Sequence, residues 1–423
     1  MTYAEAVQFL YGLRLFGAKF GLENTFKLAA LAGNPQNHLR FIHVAGTNGK
    51  GSTCAMLESI YRVAGLRVGL FTSPHLVSFR ERIQINRQLI SENDVVRLVE
   101  ELQPLLKQFP ENHHPTFFEV VTVIALKFFA EQKCNLVIWE TGLGGRLDAT
   151  NIVTPLASVI TNIALDHQQW LGDSLEKIAT EKAGIIKNKI PVVTAVDEPE
   201  ALMAIEKVVR EKNAPLIRIQ NLRSEDLELS LLGEHQKQNA ALAIATVEIL
   251  RRQIPVSPKQ IETGLQNVNW PGRLQLIEKN GQKILLDGAH NVAGAKALRE
   301  TIEKKFPAEA NRALVLGVLQ DKDWQRICEV VAPLAETICA VPVLSERSAD
   351  PQNFLKACRQ ANPTAKIFAE KSLADALKKL RDEKFVVVTG SLYLIGEALE
   401  VLNYFPLSPG EQGLNEWTAT ISK

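Results

Sequence analysis

The sequence has no apolar run near the roughly 20 residues that a membrane-spanning helix needs, so no membrane partner is expected. It has almost no net charge: 48 Lys and Arg stand against 47 Asp and Glu, leaving +1 at neutral pH. No broad electrostatic pull toward nucleic acid or a lipid surface follows from that balance. It has only five cysteines, Cys54, Cys134, Cys328, Cys339 and Cys358, odd in number and scattered. They fit neither a disulfide framework nor a zinc-ligand spacing, so buried thiols in a reducing cytoplasm are expected. The opening residues Met1-Thr2-Tyr3-Ala4-Glu5-Ala6 lack the basic start and apolar middle of a signal peptide. Internal repeats and low-complexity tracts are absent too. What is left is an ordinary globular balance, 46% apolar and 22% charged over 423 residues. At about 100–200 residues per domain the chain has room for two or three domains.

What the sequence does have is Ala45-Gly46-Thr47-Asn48-Gly49-Lys50-Gly51-Ser52-Thr53, between the apolar run Phe41–Val44 and a helix-like stretch from Ala55. Strand, glycine-rich turn and helix start make a phosphate cradle. Glycines let backbone N–H groups approach the anion, and the helix N-terminus favours negative charge. Lys50 can reach distal phosphates, and Ser52 or Thr53 can hold Mg²⁺. The spacing departs from the usual P-loop: two residues separate Gly46 from Gly49-Lys50, and Gly51 intervenes before Ser52. A plain glycine turn is the alternative.

Strand candidates at 40–44, 67–71, 136–140, 157–161 and 191–194 alternate with helix candidates at 91–106, 117–131, 175–183 and 201–211. That alternation predicts α/β layers on a mainly parallel sheet. Pro271-Gly272 breaks the pattern, and a second β/α series follows with strands at 275–278, 283–287, 313–317, 337–341, 366–368 and 385–389. The expected architecture is a P-loop ATPase-type domain over 1–272 and a smaller Rossmann-like domain over 273–423. The polar tail 407–423 is expected to be partly loose.

Open α/β sheets bind ligands beyond the carboxyl ends of their strands. Polar residues cluster at several such ends. Glu140 closes a strand before Thr141-Gly142-Leu143-Gly144-Gly145-Arg146-Leu147-Asp148-Ala149-Thr150-Asn151, and suits Mg²⁺. Asp148 and Asn151 suit either function or turn hydrogen bonds. Leu165-Asp166-His167 offers a carboxylate or an imidazole, although Mg²⁺ prefers oxygen. In Glu181-Lys182-Ala183-Gly184 the pattern reads as a helix end capped by Gly184, with Glu181 and Lys182 as solvated charges. Asp287-Gly288-Ala289-His290-Asn291, Gln320-Asp321-Lys322 and Gly390-Ser391 end strands of the second series, where turn chemistry is the competing reading.

Together Gly46–Ser52, Thr72–Leu76, Phe117–Glu119, Glu140–Asn151, Leu165–His167, Glu181–Lys187, Pro271–Arg273 and Asp287–Asn291 resemble the folylpolyglutamate synthase/dihydrofolate synthase family, within the muramyl ligase superfamily. They run in the family's order over nearly the whole chain. The resemblance implies an ATP-dependent ligase that joins L-glutamate to a folate carboxylate through an acyl phosphate. It assigns Thr47, Asn48, Gly49, Lys50, Gly51, Ser52, Asn239, Arg273, Asp287 and His290 to ATP. It assigns Ser52, Ser73, Glu140 and His167 to two Mg²⁺ sites, and makes Lys182 a carbamylated lysine that acts with Lys50 and His167. Arg80, Arg82 and Phe118 would meet the folate, with a solvated basic face and core packing as alternatives. ATP would lie between the domains, and glutamate would be hosted by the second. The expected partners are small molecules (ATP, L-glutamate, and dihydropteroate or a reduced folate), with a monomer as the expected state. Rival readings are a muramyl-type amino acid ligase and a P-loop switch ATPase.

Overall fold

The structure is a computed structural model that describes residues 1–16, 21–219, 228–307, 309 and 312–404. The tail 407–423 lies outside the described residues. The chain packs as two compact units: Met1–His75 with Phe79–Ser230 and Gln236–Val268, and Leu76–Ser78 with Leu231–His235 and Asn269–Lys423. Among the described residues no helix is long and apolar enough to cross a membrane. All five cysteines are buried and free.

The first unit is built on an eight-stranded sheet: β1 (Phe41–Ala45), β2 (Val68–Phe71), β3 (Ile83–Ile85), β4 (Gln88–Leu89), β5 (Leu136–Glu140), β6 (Ala157–Ile160), β7 (Val192–Thr194) and β8 (Leu216–Arg218). Their order is β4-β3-β2-β5-β1-β6-β7-β8. All pairings are parallel except those of β3 with its neighbours. β1, β2, β5 and β6 are buried along their whole length, as strands covered on both faces must be. Their apolar runs therefore show no alternation. Phe71 stacks on Trp139 with ring centroids 4.4 Å apart, and Phe41 meets the same indole edge-on. Burial of such side chains stabilises by about 1.5–3 kcal/mol each.

Register decides where the site lies. Val44 pairs with Glu140, Ala45 with Ile160, and Phe71 with Trp139. The carboxyl ends of β2, β5, β1 and β6 thus sit side by side, and the loops leaving them share one edge of the sheet. Helix Lys50–Val63 follows β1, and Phe117–Glu131 opens with a Thr116–Glu119 capping box. Leu175–Ala183 starts at Ser174, whose side chain accepts from Lys177 N–H.

The second unit holds a six-stranded sheet: β9 (Gln275–Lys279), β10 (Gln282–Asp287), β11 (Arg312–Leu316), β12 (Thr337–Ala340), β13 (Lys366–Ala369) and β14 (Phe385–Thr389). The order is β13-β12-β11-β14-β10-β9. Only β9 is antiparallel, joined to β10 across Asn280-Gly281, both at positive φ. An Asn-Gly pair suits such a two-residue hairpin because both positions need left-handed backbone.

Candidate functional site

The phosphate loop leaves β1 at Gly46 and enters its helix at Gly49-Lys50. A Cβ on Gly46 would collide with Thr161 Oγ1, and one on Gly49 with the Asn239 amide, so both glycines are required by close approach. The segment after β6 braces the loop. Thr47 N–H donates to Asn162 O (2.8 Å), Asn48 N–H to Asn162 Oδ1 (2.7 Å), and the Thr161 hydroxyl to Asn48 O (2.6 Å). Thr161 and Asn162 follow β6 directly as polar groups, which is their only signal, but the residue pattern gives them no role.

Lys50 bends back over its own loop and donates from Nζ to Gly46 O (3.1 Å) and Thr47 O (3.2 Å). Lys182 Nζ donates to the same Gly46 carbonyl at 2.7 Å. Here the structure corrects the pattern reading. Lys182 is 4% exposed, not solvated. Its pKa is pushed down to about 7 by burial, with Lys50 adding to the shift and Asp166 and Asp148 opposing it. Glu181 is not freely solvated either: its carboxylate pairs with Arg146 at 2.7 Å. Gly184 does sit at the helix end, but at φ −61, where no left-handed cap is needed. Its reason is contact: a Cβ there would strike the Arg146 backbone, while one on Gly145 would lie 2.8 Å from Lys182 O. Two glycines let the Leu175–Ala183 helix and the loop after β5 press together.

Glu140 is buried at the end of β5, and its Oε2 accepts Ser73 N–H at 3.1 Å. The Ser73 hydroxyl is buried with no hydrogen-bond partner among the described residues. Ser52 is buried in the first turn of its helix. An orphaned hydroxyl beside a buried carboxylate is a hard-oxygen set that fits Mg²⁺, which takes one or two protein oxygens and completes its shell with phosphates and water. Consistent with so sparse a set, no group of three His, Cys, Asp or Glu side chains suited to a metal occurs among the described residues. His167 has left-handed backbone (φ 51); its N–H donates to Asp166 Oδ1 (2.8 Å), and its Nε2 lies 3.9 Å from Asp166 Oδ2.

Asp148 accepts from Leu143 N–H (2.8 Å) and Thr150 N–H (3.0 Å), and Asn151 Nδ2 donates to Arg146 O and Gly184 O, both at 3.0 Å. These two side chains tie the loop in place. The Phe118 ring lies directly on Gly142, where a Cβ would come within 2.6 Å of it. Arg82 is buried, donating from Nε to His75 Nδ1 at 2.7 Å, so the solvated-face alternative fails for it. Arg80 instead donates to Ile90 O (2.6 Å) and lies 3.6 Å from Glu92.

In the second unit Asp287 ends β10 and accepts Leu274 N–H (2.9 Å) and Ala289 N–H (3.0 Å). Burial pushes its carboxyl pKa up, against Arg273 and His235, which favour the charged form. His290 Nδ1 is 2.8 Å from Gly288 O. Asp287, Arg273 and His290 thus gather at one strand end.

Residues 44–219 match the Mur ligase middle domain family, and residues 272–392 the Mur ligase glutamate ligase domain. A dihydrofolate synthase/folylpolyglutamate synthase of Bacillus subtilis is 36% identical, over 94% of this chain and 98% of its own length. The chain belongs to the folylpolyglutamate synthase/dihydrofolate synthase family. Solved folylpolyglutamate synthases agree with that assignment. The Thermotoga maritima structure superposes with TM-score 0.84 at 36% identity, covering 96% of this chain and 98% of that one. The Mycobacterium tuberculosis structure, complexed with ADP and AMPPCP, gives 0.88 at 29% identity, covering 96% and 99%. In this chain the braced phosphate loop, the Glu140–Ser73 pair and the buried Lys182 all lie on the edge where the first unit's sheet ends.

Proposed function

We propose that this protein is an ATP-dependent ligase that joins L-glutamate to a folate carboxylate, extending the tail of a reduced folate and also adding the first glutamate to dihydropteroate. A carboxylate resists attack because its leaving group would be oxide. Transfer of the γ-phosphoryl group to a carboxylate oxygen gives an acyl phosphate and ADP. The neutral α-amine of glutamate then attacks the carbonyl carbon, the C–O bond to phosphate breaks, and inorganic phosphate leaves as the amide forms. No protein nucleophile is needed; the work is alignment and charge stabilisation.

Residues Thr47–Ser52 would cradle the phosphates, with Lys50 turning from its own loop carbonyls to the distal phosphates. Ser52, Ser73 and Glu140 would hold one Mg²⁺ and His167 a second; bound metal neutralises phosphate charge as it develops. Lys182 would carry a carbamate, formed when its neutral amine attacks CO₂ and releases a proton. Its burial and pKa near 7 support this, because much of the amine is unprotonated at neutral pH. Asn239, Arg273, Asp287 and His290 would contact ATP, and Arg82 and Phe118 the folate. Arg80 would serve the folate only after leaving Ile90 and Glu92. We read residues 1–272 as the ATP- and folate-binding domain and 273–423 as the host of glutamate, in a monomer of the cytoplasm.

The observation that carries this reading is family membership over nearly the whole chain. The purified protein, given ATP, Mg²⁺, L-glutamate and either dihydropteroate or tetrahydrofolate, should yield a product heavier by one glutamyl residue. Oxygen-18 from the acceptor carboxylate should appear in released phosphate. ADP release that ignores both folate and glutamate would instead mark a switch ATPase.

A further inference from the structure

His43 lies in the middle of β1, wholly buried, on the strand that feeds the phosphate loop. Its Nε2 is 2.9 Å from the Thr150 hydroxyl. That hydroxyl also bonds Asp148 Oδ1, which takes Thr150 N–H as well. Asp148 Oδ2 accepts Leu143 N–H, and Trp139 Nε1 donates to Thr150 O at 2.9 Å. With both oxygens of Asp148 accepting peptide N–H bonds, the single Thr150 hydroxyl proton goes to the carboxylate. His43 must then donate from Nε2–H to Thr150 Oγ1. The result is one directed chain from the strand under the phosphate loop to the backbone of Gly142 and Leu143.

Gly142 is where the chain acquires meaning for binding. The Phe118 ring rests on it, so a shift of this turn moves the wall that Phe118 forms. We propose that His43 and Thr150 are positioning residues for the folate acceptor, acting through Asp148 to hold the Gly142–Leu143 turn against Phe118. This rests on the reading of the protein as a folate ligase. Burial supports the proton arrangement, since it pushes the His43 pKa down to about 3, with Lys187 adding to the shift, and keeps the imidazole neutral. The nucleotide side is braced separately, by Thr161 and Asn162, so the two substrates should respond differently to loss of the chain.

Thr150→Val removes the relaying hydroxyl at nearly constant volume, and Thr150→Ser keeps it. In steady-state ligation assays Thr150→Val should raise the acceptor KM about tenfold, the usual effect of orphaning a buried donor, and change the ATP KM less than about twofold. Thr150→Ser should restore the acceptor KM. An unchanged acceptor KM in Thr150→Val, or equal rises for both substrates, would overturn the assignment. Should Thr150→Val fail to fold, His43→Gln, which keeps an N–H donor, and His43→Leu, which does not, repeat the comparison: only His43→Leu should raise the acceptor KM, and equal behaviour of the two would overturn the assignment as well. Absence of any glutamate adduct from the parent protein would sink the functional reading and this proposal with it. An adduct from the parent without the acceptor-specific effect would sink this proposal alone.

Discussion

The strand ends of the two sheets handle charge in opposite ways. At the first sheet, His43 within β1, Glu140 at the end of β5, and Asp148 and Lys182 beyond the strand ends are all buried, and burial displaces the pKa of His43, Asp148 and Lys182. At the second, Asp321 after β11 meets Arg347 after β12 in a two-pronged pair of 3.1 and 2.6 Å. Burial raises the Asp321 pKa, but Arg347 outweighs it and holds the carboxyl below its ordinary range. Asp287 is the second sheet's exception, buried and shifted upward. The difference lies in which form is favoured: burial favours the neutral form of His43, Asp148 and Lys182, whereas pairing fixes the charged form of Asp321.

The largest test of that contrast is Lys182→Ala, which should lower kcat about 10³-fold if the buried lysine supports the transition state. Added bicarbonate should leave the alanine variant inactive, whereas a short-chain carboxylate should restore part of the rate. Full activity would remove Lys182 from the reaction. If Glu140 holds Mg²⁺, Glu140→Gln comes next, with the Mg²⁺ concentration for half-maximal rate rising about tenfold to a hundredfold. If Asp287 contacts ATP, Asp287→Asn should act mainly on KM for ATP, by about tenfold, because one hydrogen-bonded charge is lost. A kcat loss equal to that of Lys182→Ala would erase the distinction between the two edges.

Stability against pH sharpens the same comparison. The folded-state pKa of Lys182 is about 7, well below the 10.5 of a solvated lysine. A depressed lysine contributes its full stability above about 10.5, loses it as pH falls toward 7, and changes little below that. In CO₂-free buffer, Lys182→Met should therefore gain on the parent as pH drops from 10.5 to 6, by up to about 5 kcal/mol in urea unfolding. At the second sheet, Asp321→Asn should cost no more than about 1 kcal/mol, since half-exposed ion pairs are weak and salt-screened.

Legibility followed the range of the interactions. The phosphate loop was readable because its glycines, lysine and following helix are consecutive residues, and strands β1, β2, β5, β6 and β7 because buried apolar runs announce themselves locally. β3, β4 and β8 were missed: they are two or three residues long, and β8 lies at the sheet's edge. The helices Tyr3–Gly12 and Glu23–Leu31 before β1 were not read from the pattern either. Lys182 was misread as a surface charge because helical periodicity records only the face of its own helix. The carbonyl that receives its Nζ, Gly46 O, is far away in the chain. His43, inside an apolar run, looked like a strand residue with no assignment.

By itself the sequence determined the alternation of strands and helices, the phosphate loop and the family, because these are written in neighbouring residues and in ordered motifs. Only the tertiary structure decided which charges lose water. Parallel register set the ends of β1, β2, β5 and β6 together, and the fold brought the buried Lys182 Nζ onto the Gly46 carbonyl. Desolvation is a property of what surrounds a group in space, so no local pattern could carry it.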